Sequence, residues 1–190
     1  MSQIHPQLAA IVSELRRASE DAHTLATSVD ESVFLTRPVE SVWSMAECVA
    51  HLTLTTRAYL PIIDAALATP GEVATDPSRP FKADVMGRLL RWTIEPPYRM
   101  RVPTLPAFVP QSPDGRDTVL GEFDESQAQL VERVHAANGR ELGRLRIVSP
   151  FNARMKYNLY SCFKVLPAHQ RRHVWQACRV KERVAGAARG

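Results

Sequence analysis

The sequence lacks any long hydrophobic run. No stretch approaches the roughly 18 consecutive apolar residues that a membrane-spanning helix needs. The first residues, Met1 to Pro6, also lack a cationic segment followed by an apolar one, so we expect no signal peptide. These absences predict a cytoplasmic protein that has no membrane partner.

Cysteine is scarce as well. The three cysteines, Cys48, Cys162 and Cys178, lie far apart in the chain. An odd number without a close pair argues against a disulfide framework and fits a reducing compartment. We interpret all three as small, buried apolar residues.

The charge balance is only weakly basic. The chain has 24 Lys and Arg residues against 20 Asp and Glu residues, a formal net charge of +4. Basic residues gather near the end of the chain, but no helix-turn-helix signal, zinc-finger spacing or aromatic stacking motif accompanies them. We therefore predict a solvated helix face there and no nucleic-acid partner.

Four segments have the apolar spacing of three and four residues that is typical of amphipathic helices. This pattern predicts one all-α domain over residues 1–190, folded as a four-helix bundle. The four predicted helices cover about Leu8–Val29, Met45–Leu67, Asp117–Asn138 and Met155–Val184.

Local signals refine the second and fourth predicted helices. Ser44 and Glu47 have the spacing of a capping box, in which each side chain satisfies a free N–H at a helix start. Pro61 and Pro167 fall inside the two helices and lack the N–H that a helix requires. We expect a kink or a break at each proline.

A proline-rich stretch, residues 70–116, separates the second and third predicted helices. It holds nine of the chain's 14 prolines, which excludes a long helix or a central strand. One short helix is expected from about Phe81 to Thr93, and the rest is predicted to be an ordered loop over the bundle. Farther on, Leu142–Val148 has some β character. A lone strand would have no partner, so we interpret it as a connecting loop.

Three of the six histidines are candidate metal ligands. His169 and His173 are one helical turn apart within the apolar stripe of the fourth predicted helix, so both should point into the bundle. Two hydrogen-bonded core histidines would explain that pair equally well. His51, on the second predicted helix, would complete a three-nitrogen site. Three protein ligands plus a water molecule is the layout of catalytic zinc.

The same two segments resemble a known family. Trp43–Leu52 (WSMAECVAHL) resembles the W-S-x-x-E-x-x-x-H-L signature of the DinB/YfiT-like superfamily, and His169–Gln176 (HQRRHVWQ) resembles its H-x-x-R-H-x-x-Q signature. The resemblance implies a four-helix bundle that binds zinc, nickel or a similar divalent ion through His51, His169 and His173. It also implies a homodimer as a common assembly.

The resemblance and the residues leave three functions open. Some members of that superfamily look like transferases or isomerases that use a low-molecular-weight thiol such as bacillithiol or mycothiol, and others were proposed to be metal-dependent hydrolases. In a transferase, Arg171 or Arg172 would bind a carboxylate of the thiol, Arg172 being the one in the signature. Whatever the reaction, Gln176 is a candidate to orient a ligand imidazole. In a hydrolase, Glu47 would be the candidate base, although the capping box explains it better. The third possibility is a non-catalytic, stress-related metal-binding protein.

Overall fold

The computed structural model describes residues 3–70, 73–74, 76, 79–97 and 103–187, without the side chains of residues 186 and 187. It is mostly helical, with one small antiparallel sheet. In chain order the elements are α1 (Pro6–Thr27), α2 (Glu31–Leu35), α3 (Met45–Leu67), α4 (Val85–Ile94), a 3-10 helix (Pro106–Phe108), α5 (Arg116–Ala136), β1 (Arg146–Ser149), β2 (Asn152–Asn158) and α6 (Leu159–Ala187).

The four long helices are α1, α3, α5 and α6, and they correspond to the four predicted ones. Both α1 and α3 pack against α5 and against α6, and their apolar faces meet in the core. Two buried amides cross this core, because the side chains of Gln127 on α5 and Gln170 on α6 hydrogen-bond to each other at 3.0 and 2.6 Å. Pairing satisfies these polar groups away from water.

The start of α3 confirms the predicted capping box. Ser44 Oγ accepts a hydrogen bond from the Glu47 N–H at 3.1 Å, and the Glu47 carboxylate accepts one from the Ser44 N–H at 2.8 Å. Arg37 donates to the same carboxylate through Nε at 2.8 Å. This start fixes where each later residue of α3 points.

Both helices continue through their internal prolines. We expected a kink or a break at each proline, and the break is wrong, because α3 runs unbroken through Pro61 and α6 through Pro167. Each proline removes one helical hydrogen bond, but α3 has 23 residues and α6 has 29, and both are held by packing along their length. The ligand candidates of α6 therefore lie on one continuous helix.

A β-hairpin replaces the loop that we expected after α5. β1 pairs with β2 in antiparallel register, with Ile147 opposite Tyr157 and Val148 opposite Lys156. The predicted fold is confirmed as mostly helical, and the hairpin is an exception to the all-α prediction. The predicted start of the fourth helix at Met155 is wrong, since α6 begins only at Leu159. The partner strand β2 overlaps residues 155–158, which we assigned to the start of that helix. The buried Tyr157 hydroxyl, 2.6 Å from that of Tyr59, ties the strand to α3.

The proline-rich stretch contains the expected short helix, α4, which packs along α6. Asp84 fixes its start by accepting hydrogen bonds from the Gly87 N–H at 2.9 Å, the Ser161 hydroxyl at 3.0 Å and the Asn158 N–H at 2.8 Å. Arg146 forms an ion pair with the same carboxylate at 2.7 Å. Hydrogen bonds from these donors lower the pKa of Asp84 against the opposing effect of burial. The structure also has α2 and the 3-10 helix, which we did not predict.

Among the described residues, no helix is long and apolar enough to cross a membrane.

We predict that Gly87→Ala destabilises the protein whereas Gly121→Ala does not. A Cβ at residue 87 would lie 2.1 Å from Ser161 Cβ, so α4 would have to move away from α6. We expect a loss of about 1–3 kcal/mol in the free energy of unfolding, measured by urea denaturation. At residue 121 in α5 a Cβ meets nothing within 4 Å, and alanine should stabilise by up to ~1 kcal/mol. Equal effects of the two substitutions would contradict the close α4–α6 contact.

Candidate metal centre

Three histidines converge between α3 and α6. His51 comes from α3, and His169 and His173 come from successive turns of α6. One candidate ligand nitrogen from each ring lies within 4.8 Å of the other two. The ring centroids are 4.4 Å apart for His51 and His173, 4.6 Å for His169 and His173, and 5.3 Å for His51 and His169. The structure therefore brings together all three residues that the sequence singled out.

The three residues differ in their access to solvent. His51 is 3% exposed and His173 is 7% exposed, so both are core residues. His169 keeps a larger exposed fraction, although protein atoms surround its ring densely. Solvent can therefore approach the cluster from the side of His169.

Aromatic side chains border the cluster on two sides. The Trp43 ring lies 5.1 Å from His51 and 6.3 Å from His173, measured between centroids. Phe151, in the turn between β1 and β2, lies 6.1 Å from His169. These neighbours exclude water and lower the local polarity, which strengthens electrostatic interactions inside the site.

The environment keeps the imidazoles neutral. Burial lowers the pKa of His51, and it lowers that of His169 to about 3 and that of His173 well below its ordinary value. The positive charge of Arg172 lowers the pKa of all three in addition. Neutral imidazole is the form that binds a metal ion, so the site is ready to coordinate without first losing protons.

The residues present fit a divalent metal ion. The Nδ1 atom of His173 is buried, and within the described part of the chain no hydrogen-bond partner reaches it. A buried nitrogen without a partner costs free energy, and two more imidazoles face it. Three neutral nitrogen donors at this spacing suit zinc, nickel and similar ions. His51, His169 and His173 are the residues that would hold the ion.

The other predicted site residues lie around this cluster. Glu47 is engaged by Arg37 and by the Ser44 backbone, as described above. Arg172 is half-buried, and its charge acts on all three rings. Gln176 interacts with the His173 ring and works against the lowering of its pKa. Cys48, one turn before His51, is buried outside the cluster.

Arg171 forms ion pairs that connect helices. Its guanidinium binds both oxygens of Glu95 at 2.6 and 3.0 Å and one oxygen of Glu14 at 2.9 Å. Glu14 is on α1 and Glu95 follows α4, so this arginine joins three elements. We therefore do not propose that Arg171 binds a substrate carboxylate, because its guanidinium already forms ion pairs with Glu14 and Glu95.

Sequence reasoning missed two residues next to the site. Phe108, in the 3-10 helix, places its backbone carbonyl oxygen 2.7 Å from His51 Nδ1. Phe151 reaches His169 from the hairpin turn. Both lie in irregular segments, where no apolar periodicity reports on burial, so the sequence carries no signal that could have found them.

The family comparison agrees with this geometry. The model of the DinB superfamily matches residues 14–177, which include all three histidines. The chain belongs to the DinB superfamily. Neither the curated proteins nor the solved structures gave a significant match to this DinB-superfamily chain. The family assignment therefore rests on the match over residues 14–177.

We predict that the metal-free protein loses stability as the pH falls from about 6.5. The unfolded chain takes up protons at its histidines near their ordinary pKa, whereas folded His169 resists protonation until about pH 3. At pH 5 we expect a loss of about 1–2 kcal/mol in the free energy of unfolding from His169, and further losses of the same sign from His51 and His173. Urea denaturation in the presence of a chelator at pH 7.5 and pH 5.0 measures this loss.

The matched variants are His169→Leu in the site and His135→Gln on the exposed face of α5. The pH dependence should weaken in His169→Leu and persist in His135→Gln. An unchanged dependence in His169→Leu would contradict the buried, neutral state of that imidazole.

Proposed function

We propose that this DinB-superfamily chain is a metal-dependent enzyme with one divalent ion, zinc or nickel, held by His51, His169 and His173. The observation that supports this most is the convergence of three neutral imidazoles with no carboxylate or thiol in the cluster, as far as the chain is described. Three protein ligands leave a coordination position open for a small molecule. As part of the same proposal, the four long helices form the bundle of the superfamily.

We infer that the open position takes the sulfur of a low-molecular-weight thiol. When bound, the ion would supply a positive charge that lowers the pKa of a coordinated thiol and favours the nucleophilic thiolate. The chain itself would contribute Arg172, whose charge already acts at all three rings. Such a charge favours an anionic ligand, for example a thiol that carries a carboxylate. The substrate would be a small electrophile in the cytoplasm.

A hydrolase is the second candidate, and the site supports it less well. Metal-assisted hydrolysis usually needs a general base near the bound water. Glu47 was the candidate for that role, but Arg37 and the capping box already use its carboxylate. A non-catalytic metal-binding protein is the third candidate, and it predicts metal binding without turnover. We favour the transferase because the proposed reaction does not require a general base from the protein. It requires a thiol bound at the metal, and Arg172 would help to bind that thiol.

The metal site is tested by elemental analysis of protein purified without an affinity tag. We expect about one equivalent of metal in the parent protein and a loss of nearly all of it in His169→Ala, because two imidazoles hold a divalent ion much more weakly than three. His135→Ala, on the exposed face of α5, is the control and should keep its metal. No metal in the parent, even after reconstitution, would remove the ligand assignment.

The thiol hypothesis is tested with the cobalt-substituted protein. Titration with 3-mercaptopropionate, an anionic thiol, and with 2-mercaptoethanol, a neutral one, should each produce a sulfur-to-cobalt absorption band. Arg172→Ala should weaken binding of the anionic thiol about tenfold, which corresponds to ~1.4 kcal/mol, and leave the neutral thiol unaffected. Arg179→Ala, an exposed arginine of α6 paired with Glu182, is the matched control. If neither thiol perturbs the spectrum, the transferase proposal is wrong.

A further inference from the structure

The 3-10 helix of the proline-rich stretch touches the metal centre through its backbone. We propose that Phe108 is a positioning residue for the metal centre: its carbonyl sets the tautomer and orientation of His51, and its ring, packed on Phe151, holds that carbonyl in place. This inference rests on the proposed metal site. If it is correct, metal affinity depends on the 3-10 helix and on the turn between β1 and β2, as well as on the helices that carry the ligands.

The first step of the argument is the hydrogen bond itself. His51 Nδ1 lies 2.7 Å from the carbonyl oxygen of Phe108, in a buried setting. A carbonyl oxygen only accepts hydrogen bonds, so Nδ1 must carry the proton. A neutral imidazole has one N–H, and its other nitrogen then presents a lone pair. The bond therefore selects the form of His51 in which Nε2 is the metal ligand, and it restricts rotation of the ring.

The second step is the anchoring of the carbonyl. Phe108 is 7% exposed, and its ring lies 4.5 Å from that of Phe151. Phe151 in turn lies 6.1 Å from Tyr59 of α3 and 6.1 Å from His169 of α6. One aromatic pair thus joins the 3-10 helix to the hairpin turn and borders two of the three ligand candidates. Removing either ring would free the segment that carries the carbonyl.

A simple packing role makes a different prediction. If Phe108 and Phe151 only fill space, their removal lowers the free energy of unfolding in proportion to the buried area and leaves the intrinsic metal affinity unchanged. If Phe108 positions His51, its removal also changes the tautomer of His51 and the affinity for metal. Partners that orient a metal-bound histidine typically change affinity by about 10- to 100-fold when they are lost.

The experiment begins with the metal-free protein. Long-range proton–nitrogen NMR spectra distinguish the two neutral histidine tautomers, and a His51→Gln variant assigns the signal. We expect the Nδ1–H form of His51 in the parent and a mixture of tautomers in Phe108→Ala. Phe108→Leu serves as a milder variant if Phe108→Ala does not fold. An Nε2–H tautomer in the parent, or an unchanged tautomer in the folded variant, would overturn the proposal.

Zinc affinity is then measured by competition with a chromogenic chelator. We expect about 10- to 100-fold weaker binding in Phe108→Ala and in Phe151→Ala. Phe34→Leu is the control, because Phe34 is fully buried in a core cluster that contains none of the three histidines and neither Phe108 nor Phe151. Its affinity should stay within about threefold although its stability falls. Unchanged affinity in folded Phe108→Ala would overturn the positioning role.

The two measurements separate this inference from the proposed function. If the parent binds no zinc, the proposed function fails, and the NMR result alone decides whether Phe108 sets the tautomer of His51. If the parent binds zinc and Phe108→Ala binds it equally well, the metal site stands and the positioning role is wrong.

Discussion

The contact between α3 and α6 brings together three imidazoles that face one another, two of them buried and that of His169 partly exposed, and the local structure is organised around that contact. A buried polar ring needs a partner for each nitrogen, and here His51 has one in the Phe108 carbonyl while His173 Nδ1 has none among the described residues. Burial keeps the rings neutral, so they repel each other little and keep their lone pairs. A metal ion would satisfy three nitrogens at once.

The rest of the fold holds this contact in register. The capping box at Ser44 sets the start of α3, and the long, uninterrupted α6 places His169 and His173 on one face. The hydrogen bonds of Asp84 attach α4 and the hairpin to the beginning of α6. Near the middle of α6, the ion pairs of Arg171 attach this helix to α1 and to the end of α4. Adjacent residues on a helix point about 100° apart. Arg171 can therefore serve these ion pairs while Arg172 acts on the site.

Prediction from sequence succeeded where the pattern is local and repeated. The four long helices follow from apolar residues at helical spacing, and their predicted ends lie within a few residues of the observed ones except at the start of α6. That start was wrong because Met155 to Asn158 can extend a helix pattern or pair with β1, and the contact of Tyr157 with Tyr59 favours the strand. A break at the prolines was wrong because one missing hydrogen bond costs less than the packing of a long helix provides.

Sequence patterns were sufficient to identify the ligand candidates, because the spacing of His169 and His173, their place in an apolar stripe, and His51 on a second amphipathic helix are all local properties. The groups that surround these ligand candidates follow instead from long-range contacts. The Phe108 carbonyl reaches His51 across 57 residues of sequence, and Phe151 reaches His169 from a turn that no periodicity marks. Backbone carbonyls are present at every residue, so only the folded chain determines which one meets an imidazole.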